Sequence, residues 1–249
     1  MAESVLRRAI RSLARMPRLL VALDFDGVLA PIVEVPSAAR PLPAATTAIT
    51  TLATLPHTTV ALVSGRGLAD LAAVSGFGLP IRLIGSHGGE FDDGAARLND
   101  QQRALKDELT QELTSLVDGV AGVSLEDKPA GMAVHVRNAE PEVGAQVLDA
   151  VRAGPGSWPG VDATAGKAVL DLTVVHVSKG AALDVLREQL QVDAVLFVGD
   201  DVTDETAFAR LRPGDVGIKV GDGPTAATHR VAIPEDVAEL LKDLYETRR

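Results

Sequence analysis

The sequence predicts an α/β protein, a doubly wound parallel sheet interrupted by an inserted α+β domain. Two observations carry this expectation. Short, unbroken apolar runs alternate with helical patterns towards both ends of the 249-residue chain, the order of βαβ units whose strands are covered on both faces. Between them the order changes to α-β-β-α-β-β, which suits an antiparallel sheet with helices on one face.

Residues 3–14 read as an amphipathic surface helix rich in arginine, leading into an apolar strand over 19–23 that ends in Asp24. A helix is expected over 44–55, after Pro41 and Pro43, and a second strand over 59–63, ending at Ser64-Gly65. A helix over 68–74 and a third strand over 81–84 follow, the strand ending at Gly85-Ser86. In the middle, helices are expected over 101–117 and 141–152, and strands over 120–125, 133–137, 161–164 and 168–173. The parallel pattern returns with a helix over 180–190, a strand over 195–198 ending at Gly199-Asp200, a helix over 203–211 and a strand over 216–220. This divides the chain into a discontinuous core, residues 1–99 and 176–249, and an inserted α+β cap, residues 100–175.

Composition removes several classes of function. Aromatics make up 3% of the chain and the formal net charge is −10, so neither stacking platforms nor a basic face for nucleic acid is expected. There is no cysteine, which excludes disulfides, cysteine zinc sites and thiol catalysis. The composition suits a cytoplasmic protein. No apolar run reaches the roughly 18 residues of a membrane span, and the N-terminal arginines leave no apolar stretch of the signal-peptide kind. A monomer is expected, with a small molecule as its partner.

Ligands bind beyond the carboxyl ends of strands in open parallel sheets, and four predicted strands end in polar groups. Asp24 and Asp26, at i and i+2, lie on one side of an extended chain, and Gly27 permits a sharp turn after them. The alternative is an Asx turn or helix cap. An EF-hand is ruled out by Val28 and by the loop spacing. Asp200, Asp201 and Asp204 crowd another strand end, where a divalent cation relieves their repulsion. The competing reading is an acidic first helical turn. Ser64 and Gly65 offer a hydroxyl and a backbone N–H as an oxyanion site, although Ser is also a common cap. Lys179 stands at a predicted helix start, against the helix dipole, which favours a functional role over a surface lysine.

In this order, Asp24-Phe25-Asp26-Gly27-Val28, Ser64, Lys179 and Gly199-Asp200-Asp201 with Asp204 resemble the motifs of the haloacid dehalogenase (HAD) superfamily of phosphohydrolases. Val28 stands where that superfamily usually has Thr. More narrowly, Val63-Ser64-Gly65-Arg66, Gly85-Ser86-His87-Gly88-Gly89-Glu90 and Gly199-Asp200-Asp201-Val202-Thr203-Asp204-Glu205 resemble the trehalose-6-phosphate phosphatase family. Glu126-Asp127-Lys128, Ala133-Val134-His135-Val136-Arg137 and Gly166-Lys167-Ala168-Val169-Leu170 resemble its cap, with Asp171 where Glu is usual.

The resemblance implies a HAD-like core and a Mg²⁺-dependent phosphatase acting on a sugar phosphate. Asp24 is then the nucleophile and Asp26 the general acid and base. Asp24, the Asp26 carbonyl and Asp200 hold the metal, and Asp201 and Asp204 order its waters. Ser64, Gly65 and Lys179 hold phosphate. Arg66, His87, Glu90, Glu126, Lys128, His135 and Arg137 are candidate substrate contacts, with His135 alone better read as part of a solvated strand edge. The rival readings are another capped sugar phosphatase acting on sucrose-phosphate or a glycosyl-phosphoglycerate, a phosphomutase, an inactive sugar-phosphate-binding regulator, and a docking module built on the basic N-terminal helix.

Overall fold

A computed structural model describes residues 5–94, 98, 100–128, 130–166, 168–175 and 177–249. The chain divides into two units, Met1–Gly94 with Val177–Arg249, and Ala95–His176. The first unit opens with α1 (Val5–Ala14), β1 (Leu19–Leu23), α2 (Pro43–Leu52), β2 (Thr58–Val63), α3 (Leu68–Ser75), β3 (Arg82–Gly85) and the two-residue β4 (Glu90–Phe91). The second unit contains α4 (Asp100–Val117), β5 (Ser124–Lys128), β6 (Gly131–His135), α5 (Pro141–Ala153), β7 (Asp162–Gly166) and β8 (Val169–Thr173). The chain returns to the first unit with α6 (Lys179–Leu190), β9 (Ala194–Gly199), α7 (Glu205–Phe208), β10 (Val216–Val220), β11 (His229–Val231) and α8 (Pro234–Arg248).

The first unit is built on a seven-stranded sheet in the order β11-β10-β9-β1-β2-β3-β4. All its pairs are parallel except β3 with β4. β1, the run Leu-Leu-Val-Ala-Leu, is buried along its whole length, as a strand covered on both faces must be. Its side chains alternate between two cores. Leu19, Val21 and Leu23 pack with Ile10 and Leu13 of α1, Ile49 of α2 and Leu241 of α8. Leu20 and Ala22 pack with Leu183 and Leu186 of α6 and Phe208 of α7. Helices thus cover both faces, and the sheet is doubly wound.

Local chemistry sets several helix ends. Pro43 and Pro141 open α2 and α5, where a missing N–H costs nothing. The Ser178 hydroxyl caps α6 by accepting the Ala181 N–H at 3.1 Å. Gly76 closes α3 in the left-handed conformation (φ 69°). In the second unit the antiparallel order is β5-β6-β8-β7, and Met132, Val134, Leu170 and Leu172 share a core with Leu109, Leu113, Val147 and Val151 of α4 and α5. No described helix is long and apolar enough to cross a membrane.

Several elements differ from the sequence-based expectation. The strand expected over 120–125 begins at Ser124, and that expected over 133–137 ends at His135. Residues 120–122 form a turn instead, with Gly119 and Gly122 at positive φ (70° and 78°). The helix expected over 203–211 is a 3₁₀ turn, Val202–Asp204, followed by the four residues of α7. β4, β11 and α8 lie outside the elements that the sequence pattern predicts. Yet α8 carries start signals, with Pro234 at its first turn and Asp236 accepting the Ala232 N–H at 2.9 Å. At its end Arg248 donates to the carbonyls of Ala14 (3.0 Å), Met16 (2.6 Å) and His57 (3.0 Å).

The start of β9 hangs on a buried ion pair. Asp215 binds the Arg187 guanidinium and also accepts the N–H groups of Val195 (2.8 Å) and Arg212 (2.7 Å). Asp215→Ala leaves Arg187 buried without its partner, so a loss of about 3–5 kcal/mol is expected, read as a lower urea midpoint. A loss under about 1 kcal/mol, the worth of an exposed pair, would show the pair to be dispensable.

Candidate active site

Asp24 follows β1 directly. It is 5% exposed, and its N–H donates to the Val198 carbonyl at 2.9 Å, continuing the pairing with β9. One carboxylate oxygen accepts the Phe25 N–H at 2.6 Å; the other meets the Lys179 ammonium at 2.6 Å. Lys179 is the first residue of α6, 2% exposed, and it also donates to Asp204 at 2.8 Å. Burial pushes the Asp24 carboxyl up to about 7, with Asp204 adding and Lys179 opposing. Burial pulls the Lys179 ammonium down, but Asp24 and Asp204 outweigh it and the net shift is upward. The result is a dry ammonium held between two dry carboxylates.

Asp204 is fully buried. Its second oxygen accepts the N–H groups of Asp200 and Asp201, both at 2.9 Å. A Cβ on Gly199 would stand 2.3 Å from Asp204 Cγ, so only glycine lets that carboxylate fold back under the turn. Asp201 is exposed. It caps the turn Val202–Asp204, its side chain accepting the Val202 N–H at 2.7 Å. Asp200 lies against Gly27, where a Cβ would be 1.9 Å from Asp200 Oδ2 and where φ is +72°. Burial, then Asp204, pushes the Asp200 carboxyl up to about 6.

Asp24, Asp200 and Asp204 each offer an oxygen within 4.8 Å of the others. Asp204 is already taken by Lys179 and two N–H groups, and Asp24 shares its oxygens with Lys179 and Phe25. The Asp200 carboxylate accepts no hydrogen bond from the described residues. An all-oxygen, acidic donor set containing an unpartnered carboxylate fits a hard divalent cation. Asp26 does not bring its carboxylate to this cluster.

Instead, Asp26 receives a two-pronged contact from Arg66, Nε to Oδ2 at 2.6 Å and Nη2 to Oδ1 at 2.8 Å. Arg66 Nη1 binds Asp70 at 2.7 Å and Nη2 the Pro36 carbonyl at 2.8 Å. The guanidinium also lies 5.7 Å from the Phe25 ring centroid. Expected as a substrate contact, Arg66 has most of its donors engaged within the protein. The charge facing Asp26 is therefore positive. Asp70 escaped the sequence reading, although its i+4 spacing from Arg66 is the spacing of helix ion pairs.

Ser64, 1% exposed, directly follows β2. It lies three residues before the Gly67 cap of α3, outside the helix. Its oxygen accepts the Arg66 N–H at 3.3 Å, which leaves the hydroxyl proton to donate elsewhere. The His87 ring lies over Gly65, where a Cβ would stand 2.5 Å from its Cε1. Glu90 accepts the Leu68 N–H at 3.1 Å and binds the Ser86 hydroxyl, so it caps α3 from outside the helix. Asp26, Gly65, Arg66, Asp70 and His87, with exposed Ile32 and Val33, line an open depression of about 420 Å³.

In the second unit, the face of the sheet away from α4 and α5 carries the other candidates. Glu126 and Asp171 flank Ala133 across three strands, and this small residue leaves room for their partners. Glu126 binds His135 Nε2 at 2.7 Å; Lys128 binds Asp171. Arg137 stands apart, exposed in the turn after β6. Lys167 lies outside the described residues.

Among known sequences, a model of the trehalose-phosphatase family matches residues 22–235. A trehalose-phosphate phosphatase of Mycolicibacterium paratuberculosis is 37% identical over 245 residues, covering 91% of this chain and 62% of that protein. One from Mycobacterium marinum is 37% identical over 258 residues, covering 95% of this chain and 65% of that protein. The chain thus spans less than two thirds of the length of these relatives. A solved structure of Aspergillus fumigatus trehalose-6-phosphate phosphatase matches with a TM-score of 0.65 and 27% identity, covering 97% of each chain. The family match takes in Asp24, Asp26, Ser64, Lys179 and Asp200 along with the whole second unit, and on that span the chain belongs to the trehalose-phosphatase family.

Proposed function

We propose that this chain hydrolyses trehalose 6-phosphate to trehalose and inorganic phosphate through an aspartyl-phosphate on Asp24. The observation that carries the reading is the buried Asp24–Lys179–Asp204 group at the carboxyl end of the central strand, with Asp26 two residues beyond the nucleophile. The first unit acts as the catalytic core and the second as the cap that recognises the sugar.

In the first half-reaction an Asp24 carboxylate oxygen bonds to phosphorus, the bond from phosphorus to the sugar oxygen breaks, and Asp26 gives that oxygen a proton. In the second, Asp26 takes a proton from water, the water oxygen bonds to phosphorus, and the acyl phosphate bond breaks to restore Asp24. Lys179 opposes the upward push of burial on the Asp24 carboxyl and offers positive charge to the phosphoryl oxygens. Ser64 donates its hydroxyl proton to one of them. The Arg66 contact fixes the direction in which the Asp26 carboxylate points. A Mg²⁺ ion held by Asp24, Asp200 and the Asp26 carbonyl would neutralise phosphoryl charge. In the cap, Glu126, Lys128 and His135 offer paired hydrogen-bonding groups suited to sugar hydroxyls.

The direct test is phosphate release from a panel of sugar phosphates, with and without Mg²⁺, for the wild type and Asp24→Asn. Metal-dependent preference for trehalose 6-phosphate, lost in the folded Asn variant, is expected. Preference for another sugar would overturn the cap assignment, and turnover by Asp24→Asn would overturn the nucleophile.

Asp26→Asn should slow sugar phosphates by about 10²–10⁴-fold, the usual worth of general acid–base catalysis. It should slow the first step with an aryl phosphate far less, because a phenolate leaves without a proton. Equal losses on both would remove the acid role.

The raised carboxyls also set a pH dependence. Without metal, folded Asp24 and Asp200 retain protons up to about 7 and about 6, whereas the unfolded chain releases them near pH 4. Their stability contribution is therefore full below about pH 4 and falls as pH rises through that window. In chelator, Asp200→Asn should gain thermal stability relative to wild type as pH rises from about 4 to about 6. A constant difference would contradict the shift.

A further inference from the structure

Lys219 is a buried cation that the proposed chemistry leaves unused. It sits near the carboxyl end of β10, in a strand whose five residues are all buried. Val216, Ile218 and Val220 face one core of the sheet, and alternation turns Lys219 with Gly217 to the other. The residue is 4% exposed. An ammonium buried to that degree is costly unless it is paired.

Its partner is the backbone carbonyl of Asp200, to which Nζ donates. On the other side of the same residue, the Asp200 N–H donates to Asp204 at 2.9 Å. The backbone of Asp200 is thus gripped at both ends by charged side chains, one from β10 and one from the turn after β9. Its carboxylate is left without a protein donor and pressed against Gly27.

We propose that Lys219 is a positioning residue whose ammonium pins the Asp200 carbonyl and thereby aims the Asp200 carboxylate at the cation site. The aiming role rests on the metal reading of the proposed function; the grip on the turn does not. Two effects of Lys219 on a bound cation have opposite signs. Its positive charge opposes the cation through Coulomb repulsion, whereas its hold on the turn favours binding by keeping the ligand in place. Removing the ammonium therefore distinguishes a charge from a brace.

The test compares wild type, Lys219→Met, which keeps the apolar stem without the donor, and Lys219→Arg, which restores a charged donor. In metal-free protein, amide hydrogen exchange at Asp200 and Asp201 should quicken about tenfold in the Met variant, as a local opening becomes easier. The rest of β9 should be unaffected. Unchanged exchange at those two amides overturns the brace. Thermal shift on titration with Mg²⁺ alone should then show half-saturation raised about tenfold in the Met variant, in line with other lost outer-sphere supports of metal ligands. Binding equal to or tighter than wild type overturns the aiming role. The Arg variant should recover most of both properties, and it carries the test if the Met variant does not fold; a folded Arg variant that recovers neither counts against the brace. A wild type with no Mg²⁺ shift overturns the metal reading and the aiming role together, while exchange still decides the grip on the turn.

Discussion

Burial of the Lys179 ammonium between Asp24 and Asp204 is the constraint around which the first unit is arranged. Two carboxylates and an ammonium removed from water are costly singly and tolerable only together. The contact requires β1, the start of α6 and the turn after β9 to meet within hydrogen-bonding distance. Asp204 extends it, since its second oxygen orders the N–H groups of Asp200 and Asp201. A single buried carboxylate thus supports both the charge balance around Asp24 and the placement of Asp200. Gly199 is the sequence's concession to it, because any side chain there would occupy the space of the Asp204 carboxylate.

A second charge arrangement stands beside the first. The Arg66 guanidinium joins the ends of β1 and β2 by holding Asp26, and Asp70 and the Pro36 carbonyl hold the guanidinium in turn. Asp24 and Asp26 are two residues apart yet differ in surroundings. One is dry and faces a lysine; the other is a third exposed on its side chain and faces an arginine. The proposed division of roles between these two carboxylates rests on that difference. The second unit repeats the pattern of opposed charges on its open sheet face, where small Ala133 lies between the paired groups.

Much of this was legible in the chain because it depends on short-range pattern. Apolar runs marked β1, β2 and β9, and polar residues at their ends marked the rim where Asp24, Ser64 and Asp200 lie. The failures have physical causes. The stretch 120–125 is apolar enough for a strand, but Gly119 and Gly122 take positive φ and turn it. Residues after Val202 have helical composition, yet the cap formed by Asp201 and Asp204 tightens them into a 3₁₀ turn before a helix of four residues. Lys219 falls inside the strand expected over 216–220, and a strand buried on both faces has no solvated side on which to place a lysine.

Taken alone, the order of motifs along the sequence determined the fold class, the rim on which the site is built and the identity of the residues at the strand ends, because strand periodicity and turn chemistry act over a few residues. Only the tertiary structure decided the partners. Nothing in the sequence near Arg66 reveals that it holds Asp26, 40 positions away. Likewise, Glu90 caps a helix 22 positions earlier, and Lys219 reaches the carbonyl of Asp200 from the next strand. Those pairings follow from strand order and from the cost of leaving a buried charge unpaired, and both arise only once the sheet has assembled.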